Sequence, residues 1–516
     1  MATRARIAAY KVCWKGGCFD ADIMAGIDKA IEDGVNVISM SLGGSTSDYY
    51  RNTIAVGTFA AMERGIIVSC SAGNDGPDSS TVSNVAPWIT TVGAGTLDRD
   101  FPAYVTLGNG KNFSGVSLYS GNALPDSLLP LIYARDASIV PNESRCLPGT
   151  LLPSKVSGKI VLCEGGSSAV RKGNVVKQVG GAGMILANLA TDGEQLLAQA
   201  HLLPATAVSK NAGDMIKEYI SSDSNPTATI VFQGTKVGIQ PSPVVAQFSS
   251  RGPNSKTPEI LKPDMIAPGV NILAGWSGAV GPTGLDVDTR RVEFNIISGT
   301  SMSCPHVSGI AALLKAAKPD WSPGAIRSAL MTTAYTTYST GAKIEDIATG
   351  KAATPFDYGA GHVDPSSALD PGLIYDLAVE DYNDFLCALN YSKEQISLIT
   401  KGNFTCDTSK SYSVTNLNYP SFAVQLSSGS VVKHTRTLTN VGSPATYKVS
   451  VSSETESVKI SVQPESLTFS AQNEKQVYTV TFTATSAMTS GTNSFGRLEW
   501  SDGEHIVGSP IAFSWK

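Results

Sequence analysis

The segment Gly299-Thr300-Ser301-Met302-Ser303-Cys304-Pro305-His306 leads into an apolar run at 307–317. Small residues make the turn, and a serine stands where a helix is expected to begin. A hydroxyl held there lies beside backbone N–H groups that lack intrahelical acceptors and can stabilise an oxyanion. Pro305 is acceptable on the expectation that it falls in the helix's first turn, where no N–H is needed. His201 is the one histidine upstream of Ser301, so the usual base for a nucleophilic serine is not evident.

Outward from that turn, the first hundred residues alternate strand and helix. Residues 6–12 read as a short apolar strand. Residues 20–33 place Ile23, Ile27, Ala30 and Ile31 on one helical face, with Gly34 as the stop. Residues 35–42, 66–71 and 89–94 read as buried strands, and 50–64 as a helix closed by Gly65. This alternation predicts a parallel sheet covered by helices on both faces. Residues 124–237 differ: short strands at 159–163 and 183–187 flank a helical stretch at 168–179. The sheet pattern resumes over 238–390, with a helix near 323–334. After a linker at 391–416, residues 417–516 turn to Val, Thr and Ser in period two, as at 431–438, 445–451 and 476–484. Short strands so spaced predict a β-sandwich.

With 42% hydrophobic and 16% charged residues among 516, the chain has the composition of several folded domains and not of disorder. A net charge of −5 and the lack of a basic block argue against a nucleic-acid partner. No apolar run approaches the roughly 18 residues of a membrane span, so no membrane partner is expected. The apolar stretch near the N-terminus is shorter than the roughly 7–15 residues of a signal-peptide core. Taken alone, that would keep the chain in the cytosol.

The eight cysteines point the other way. Six fall in close pairs, Cys13/Cys18, Cys146/Cys163 and Cys387/Cys406. Spacing does not prove pairing, and free thiols in a reducing compartment are the alternative. Cys70 and Cys304 lie in apolar segments and read as buried thiols. Glycosylation sequons occur at Asn112, Asn142, Asn390 and Asn403. Together with the paired cysteines they favour a secreted glycoprotein.

The Gly-Thr-Ser-Met turn followed by Pro-His resembles the nucleophile segment of subtilisin-like serine proteases. The chain is similar to the plant subtilases nearly from end to end. Supporting motifs are Ser71-Ala72-Gly73-Asn74-Asp75-Gly76-Pro77, Phe248-Ser249-Ser250-Arg251-Gly252-Pro253, Lys262-Pro263-Asp264 and Asp370-Pro371-Gly372-Leu373-Ile374-Tyr375-Asp376. The stretch 153–163 is similar to the protease-associated domain that plant subtilases carry as an insertion. The resemblance implies an α/β subtilisin-like domain, a parallel sheet with helices on both faces and its N-terminal part missing, at 1–123 and 238–390. It implies a protease-associated domain inserted at 124–237 and a C-terminal fibronectin-III-like β-sandwich at 417–516. It also implies a secreted serine endopeptidase of the apoplast or cell wall, acting on a polypeptide substrate without cofactor or metal. The inserted domain would be the surface for any homodimer.

Residue by residue, the resemblance makes Ser301 the nucleophile and Asn74 the oxyanion donor. The bland reading of Asn74 is a turn residue in an Asn-Asp-Gly-Pro loop. Ser39-Met40-Ser41-Leu42-Gly43-Gly44 matches the strand that lines the substrate cleft. Ser41, Leu42 and Gly43 would hold an extended peptide by backbone hydrogen bonds. The same residues read equally as a buried strand ending in a glycine turn.

Subtilases supply their triad in the order Asp, His, Ser, in Asp-Ser/Thr-Gly and His-Gly-Thr-His settings. Neither motif occurs in this sequence. The chain reads as starting past the histidine helix, with Met1 an internal methionine or a join. None of His201, His306, His362, His434 and His505 has the required setting. A catalytically inactive subtilase-like protein that binds peptides or regulates a relative is the second reading. An α/β-hydrolase esterase is the third, disfavoured because Ser303 stands where the Gly-x-Ser-x-Gly elbow needs glycine.

Overall fold

Apolar residues at helical spacing, Ile23, Ile27 and Ala30, are buried by the helix Asp20–Glu32. Asp20 and Asp22 in its first turn and Lys29 in its last suit the helix dipole. Gly34, at φ 70°, turns the chain out of it. The computed structural model describes residues 2–44 and 46–516. Met1, expected to be an internal methionine or a join, lies outside the described residues.

Beyond that helix, four strands form a parallel sheet in the order Met265–Pro268, Thr90–Gly95, Ile67–Ser71, Val37–Met40. Ile67–Ser71 is buried along its whole length, as a strand covered on both faces must be. The long helix Thr300–Ala317 packs across all four strands. Its contact with the sheet is partly polar: the Ser69 hydroxyl donates to the Cys304 carbonyl at 3.1 Å. The helix expected over 50–64 is split. A 3-10 turn, Tyr49–Arg51, precedes the α-helix Thr53–Glu63 because the Asn52 side chain caps the latter, accepting from the Ala55 N–H at 2.9 Å.

Residues 6–12 do not form the expected strand. This segment instead lies along the Asp20–Glu32 helix. Val12 packs so closely on Gly26 that a Cβ there would lie 2.5 Å from it, and the Tyr10 hydroxyl donates to Asp33. Ile7 is left 93% exposed.

The insertion is built on an eight-stranded mixed sheet. Its centre is parallel: Leu129–Tyr133, Ile160–Glu164, Gly183–Ala187 and Ala205–Val208. Period-two alternation gives it two cores. Ile160, Leu162 and Ile185 pack with Ile216 and Tyr219 of the Lys210–Ser222 helix on one side. Val161, Cys163, Met184 and Leu186 pack with Val175 and Val176 of the Ala169–Gln178 helix on the other. The sheet draws in strands from Ala103 onward: Ala103–Leu107 pairs antiparallel with Thr227–Phe232, and Gly115–Val116 with Ala205–Val208. These lie before residue 124, where the sequence reading began the insertion. The Ala103–Leu107 pairing spans more than a hundred residues, so no local pattern announces it.

The C-terminal part is a two-sheet sandwich closed on Trp500, Phe482, Phe513 and Tyr478. One of its edge strands comes from outside it: Leu373–Ile374, within the Asp370–Asp376 motif, pairs antiparallel with Val431–Asn440. The adjoining Tyr375 hydroxyl meets that of Tyr478 at 2.6 Å inside the sandwich core.

A second joint is ionic. Lys262 and Asp264 are fully buried, 2.6 Å apart. Asp264 also accepts from the Thr91 N–H at 2.7 Å and from the Tyr419 hydroxyl at 2.5 Å. Lys262 donates to the Ile89 carbonyl, and the Arg327 guanidinium lies over the Tyr419 ring. Burial pushes the Lys262 ammonium down to about 8. The three close cysteine pairs are bonded, while Cys70 and Cys304 are free and buried.

Candidate active site

The apolar sequence that follows Ser301 makes a helix that starts earlier than expected, at Thr300, with Gly299 as its N-cap. Ser301 is therefore the second helical residue and remains partly exposed. Among the described residues neither its hydroxyl nor its backbone N–H has a hydrogen-bond partner.

Asn74 follows the buried Ile67–Ser71 strand, on a turn held from behind. Ser250 N–H donates to the Gly73 carbonyl, Asp75 N–H to the Ser250 hydroxyl, and Gly76 N–H to the Phe248 carbonyl. The Asn74 side chain reaches the helix start: Oδ1 accepts from the Thr300 N–H and from the Thr300 hydroxyl, both at 2.9 Å. A backbone N–H can only donate, so the oxygen must face Thr300 and the amide nitrogen must face away. Asn74 is exposed, so that nitrogen is open to a ligand. Thus the Asn74 amide and the Ser301 N–H are two donors without a partner at one helix start: a Cβ on Gly299 would lie 3.8 Å from the first and 3.7 Å from the second nitrogen. That is the polarity needed to hold a developing oxyanion.

Ser41, Leu42 and Gly43 follow directly on the edge strand Val37–Met40, whose Met40 pairs with Cys70. The buried Asn84 fixes them. Its amide donates to the Leu42 carbonyl at 2.7 Å and to the Ser71 carbonyl at 2.8 Å, tying the segment to the strand that carries Asn74. A Cβ on Gly43 would lie 3.1 Å from the Ser83 hydroxyl, so the segment passes close to that wall. The Ser41 hydroxyl donates to the carbonyl of Ser301 itself at 2.7 Å. Serine turn, asparagine turn and edge segment, widely separated in sequence, therefore meet in one place.

Sequence reasoning missed Asn84 and the side-chain role of Ser41. The expectation for Pro305 also needs correction. With the helix starting at Thr300, Pro305 lies in the second turn, where its missing N–H would have served the Ser301 carbonyl.

No histidine contacts the Ser301 hydroxyl among the described residues. His306 Nδ1 donates to the Met302 carbonyl of its own helix at 2.8 Å. His201 lies buried in the insertion and His362 is buried against Tyr335; burial pushes both down to about 4. His434 is buried in the sandwich between Phe422 and Phe482, and burial holds it well below its usual range. His505 pairs with Asp502 at 2.9 Å, far along the chain.

Known proteins bear on this geometry. The Subtilase family model matches residues 1–361, and a Fibronectin type-III domain model matches residues 416–513. The chain is 67% identical over its full 516 residues to subtilisin-like protease SBT1.7 of Arabidopsis thaliana, covering 68% of that protein. It is 55% identical to SBT1.4 of the same plant over 100% of its length, covering 67% of the relative. A solved psychrophilic subtilisin-like protease, Apa1, from an Antarctic Pseudoalteromonas aligns with 70% of this chain and 76% of its own at 18% identity and a TM-score of 0.31. That likeness is too loose to carry an argument.

Proposed function

The chain belongs to the subtilase family, and on that premise we propose that it is a serine endopeptidase with Ser301 as nucleophile. The observation that carries the reading is the Asn74 side chain. Its oxygen is engaged by Thr300, and its amide has no partner among the described residues and lies near the start of the helix that carries Ser301. Attack by the Ser301 oxygen on a peptide carbonyl would give a tetrahedral oxyanion, held by the Asn74 amide and the Ser301 N–H. Its collapse expels the amine and leaves an acyl-enzyme, which water then hydrolyses. An extended polypeptide substrate would lie along Ser41, Leu42 and Gly43. The base and its carboxylate partner, which this chemistry requires, are not identified among the described residues, and the chain spans 68% and 67% of the two relatives it matches.

The same reading makes the protein a secreted glycoprotein of the apoplast or cell wall. Three disulfides and the exposure of all four sequon asparagines support it. It makes the insertion a protease-associated domain and a candidate surface for a homodimer. The described residues include no helix long and apolar enough to cross a membrane.

The second reading, an inactive relative that binds peptides, is favoured by one observation: all five histidines are placed away from the Ser301 hydroxyl. Treating the full-length protein with a fluorophosphonate and mapping the adduct separates the two. Labelling at Ser301, lost in Ser301→Ala and accompanied by peptide hydrolysis, is expected. An unlabelled protein that still binds peptide would establish the second reading.

A further inference from the structure

Proline at position 305 leaves a gap in the nucleophile's own helix. In an α-helix the N–H of residue 305 bonds the carbonyl of residue 301, and proline has no N–H. The carbonyl without its normal donor is therefore that of Ser301. The Ser41 hydroxyl fills the vacancy at 2.7 Å from 260 residues away. Other carbonyls of this helix also take side-chain donors, Met302 O from His306 and Cys304 O from the Ser69 and Ser308 hydroxyls, but each has a residue four positions on that still carries an N–H.

The donor is not on a free loop. Ser41 directly follows Val37–Met40, and the next residue, Leu42, is held at its carbonyl by Asn84. The chain that would carry a substrate peptide is thereby bonded to the residue that would attack it.

We propose that Ser41 is a positioning residue for Ser301: its hydroxyl replaces the N–H lost to Pro305 and fixes the first turn of the nucleophile's helix relative to the edge strand. This rests on the serine-peptidase reading and adds to it. Without the bond, the Ser301 carbonyl turns to water and the first turn gains freedom. A displacement of well under an ångström at the reacting oxygen would slow the chemical step while leaving peptide binding along the backbone nearly intact.

The proline supplies an internal control. Pro305→Ala restores the N–H, so Ser41 should become dispensable in that background. The test is a double-mutant cycle on the full-length protein, reading kcat and KM with a peptide p-nitroanilide. Ser41→Ala should lower kcat about tenfold with KM within about twofold, and Ser41→Thr, which keeps the hydroxyl, should stay within about threefold of wild type. In Pro305→Ala, removing the Ser41 hydroxyl should change kcat by less than about threefold. An equal loss in both backgrounds, or a loss confined to KM, overturns the proposal. If the wild-type protein hydrolyses no peptide, the serine-peptidase reading fails, and the same cycle read as thermal midpoints decides the bond. A Ser41→Ala shift that vanishes in Pro305→Ala supports the compensation; equal shifts in both refute it.

Discussion

Two clusters of polar groups in this molecule obey the same electrostatics with opposite outcomes. At Lys262, Asp264, Tyr419 and Arg327 the charges are fully buried. Asp264 is fully engaged, by an ammonium, a backbone N–H and a phenol. At Asn74, Thr300 and Ser301 only Thr300 is buried, and only half of the groups' capacity is used. One carbonyl oxygen takes two donors, while an amide, a backbone N–H and a hydroxyl stay open. A saturated cluster holds parts of the chain together, here the start of the sandwich and the sheet domain. An unsaturated one is preorganised to take a partner that arrives later.

Substitutions should separate the two clusters cleanly. Ser301→Ala is expected to lower peptide hydrolysis by about a millionfold, the scale known for the equivalent loss in subtilisin. Its thermal midpoint should stay within a few degrees of wild type. Asp264→Ala should do the reverse. It leaves Lys262 buried and unpaired, which costs about 3–5 kcal/mol in urea unfolding, a large share of a domain's usual stability. Activity per folded molecule should survive. A smaller break, Tyr419→Phe, removes one donor from Asp264 and should cost about 1–3 kcal/mol.

The smallest expected effect lies at the sandwich joint. His505 faces Asp502 at 2.9 Å and Asp370 at 3.5 Å, with Tyr447 and Glu504 near Asp502. Although partial burial opposes it, the two carboxylates raise the imidazole above its usual 6.5. A raised folded-state value stabilises fully below 6.5 and is lost as pH rises through that higher value. Thermal midpoints should therefore decline modestly as pH climbs past 6.5, because one of the two carboxylates, Asp370, is exposed and screened by solvent. His505→Asn should flatten that decline; an unchanged pH slope would show that the joint is not ionic.

Much of this was legible locally. Helical spacing found the Asp20–Glu32 helix, and period two found the sandwich strands Val431–Asn440, Ala445–Ser453 and Lys475–Ala484. The small-residue turn located the start of the serine helix. What escaped the sequence depends on partners far along the chain. Residues 6–12 have strand-like composition but pack on the Asp20–Glu32 helix instead. Ala103–Leu107 joins a sheet whose other members lie downstream. Leu373–Ile374 carries a family motif, yet its place as a strand of the sandwich shows only in three dimensions. Ser41 was readable as part of the segment that follows the edge strand. The signal for its side-chain role was Pro305, once the helix start is known to the residue.

The most direct measurement is kcat for peptide hydrolysis by full-length Asn74→Asp, with KM and thermal midpoint alongside. Aspartate keeps the oxygen that Thr300 engages and puts a charged oxygen, which cannot donate, in place of the open amide. The account predicts a fall in kcat of at least about a hundredfold, the cost of one lost oxyanion donor, with KM and midpoint little changed. An Asn74→Asp protein that turns over at the wild-type rate would contradict it, because the Asn74 amide would then face no developing charge.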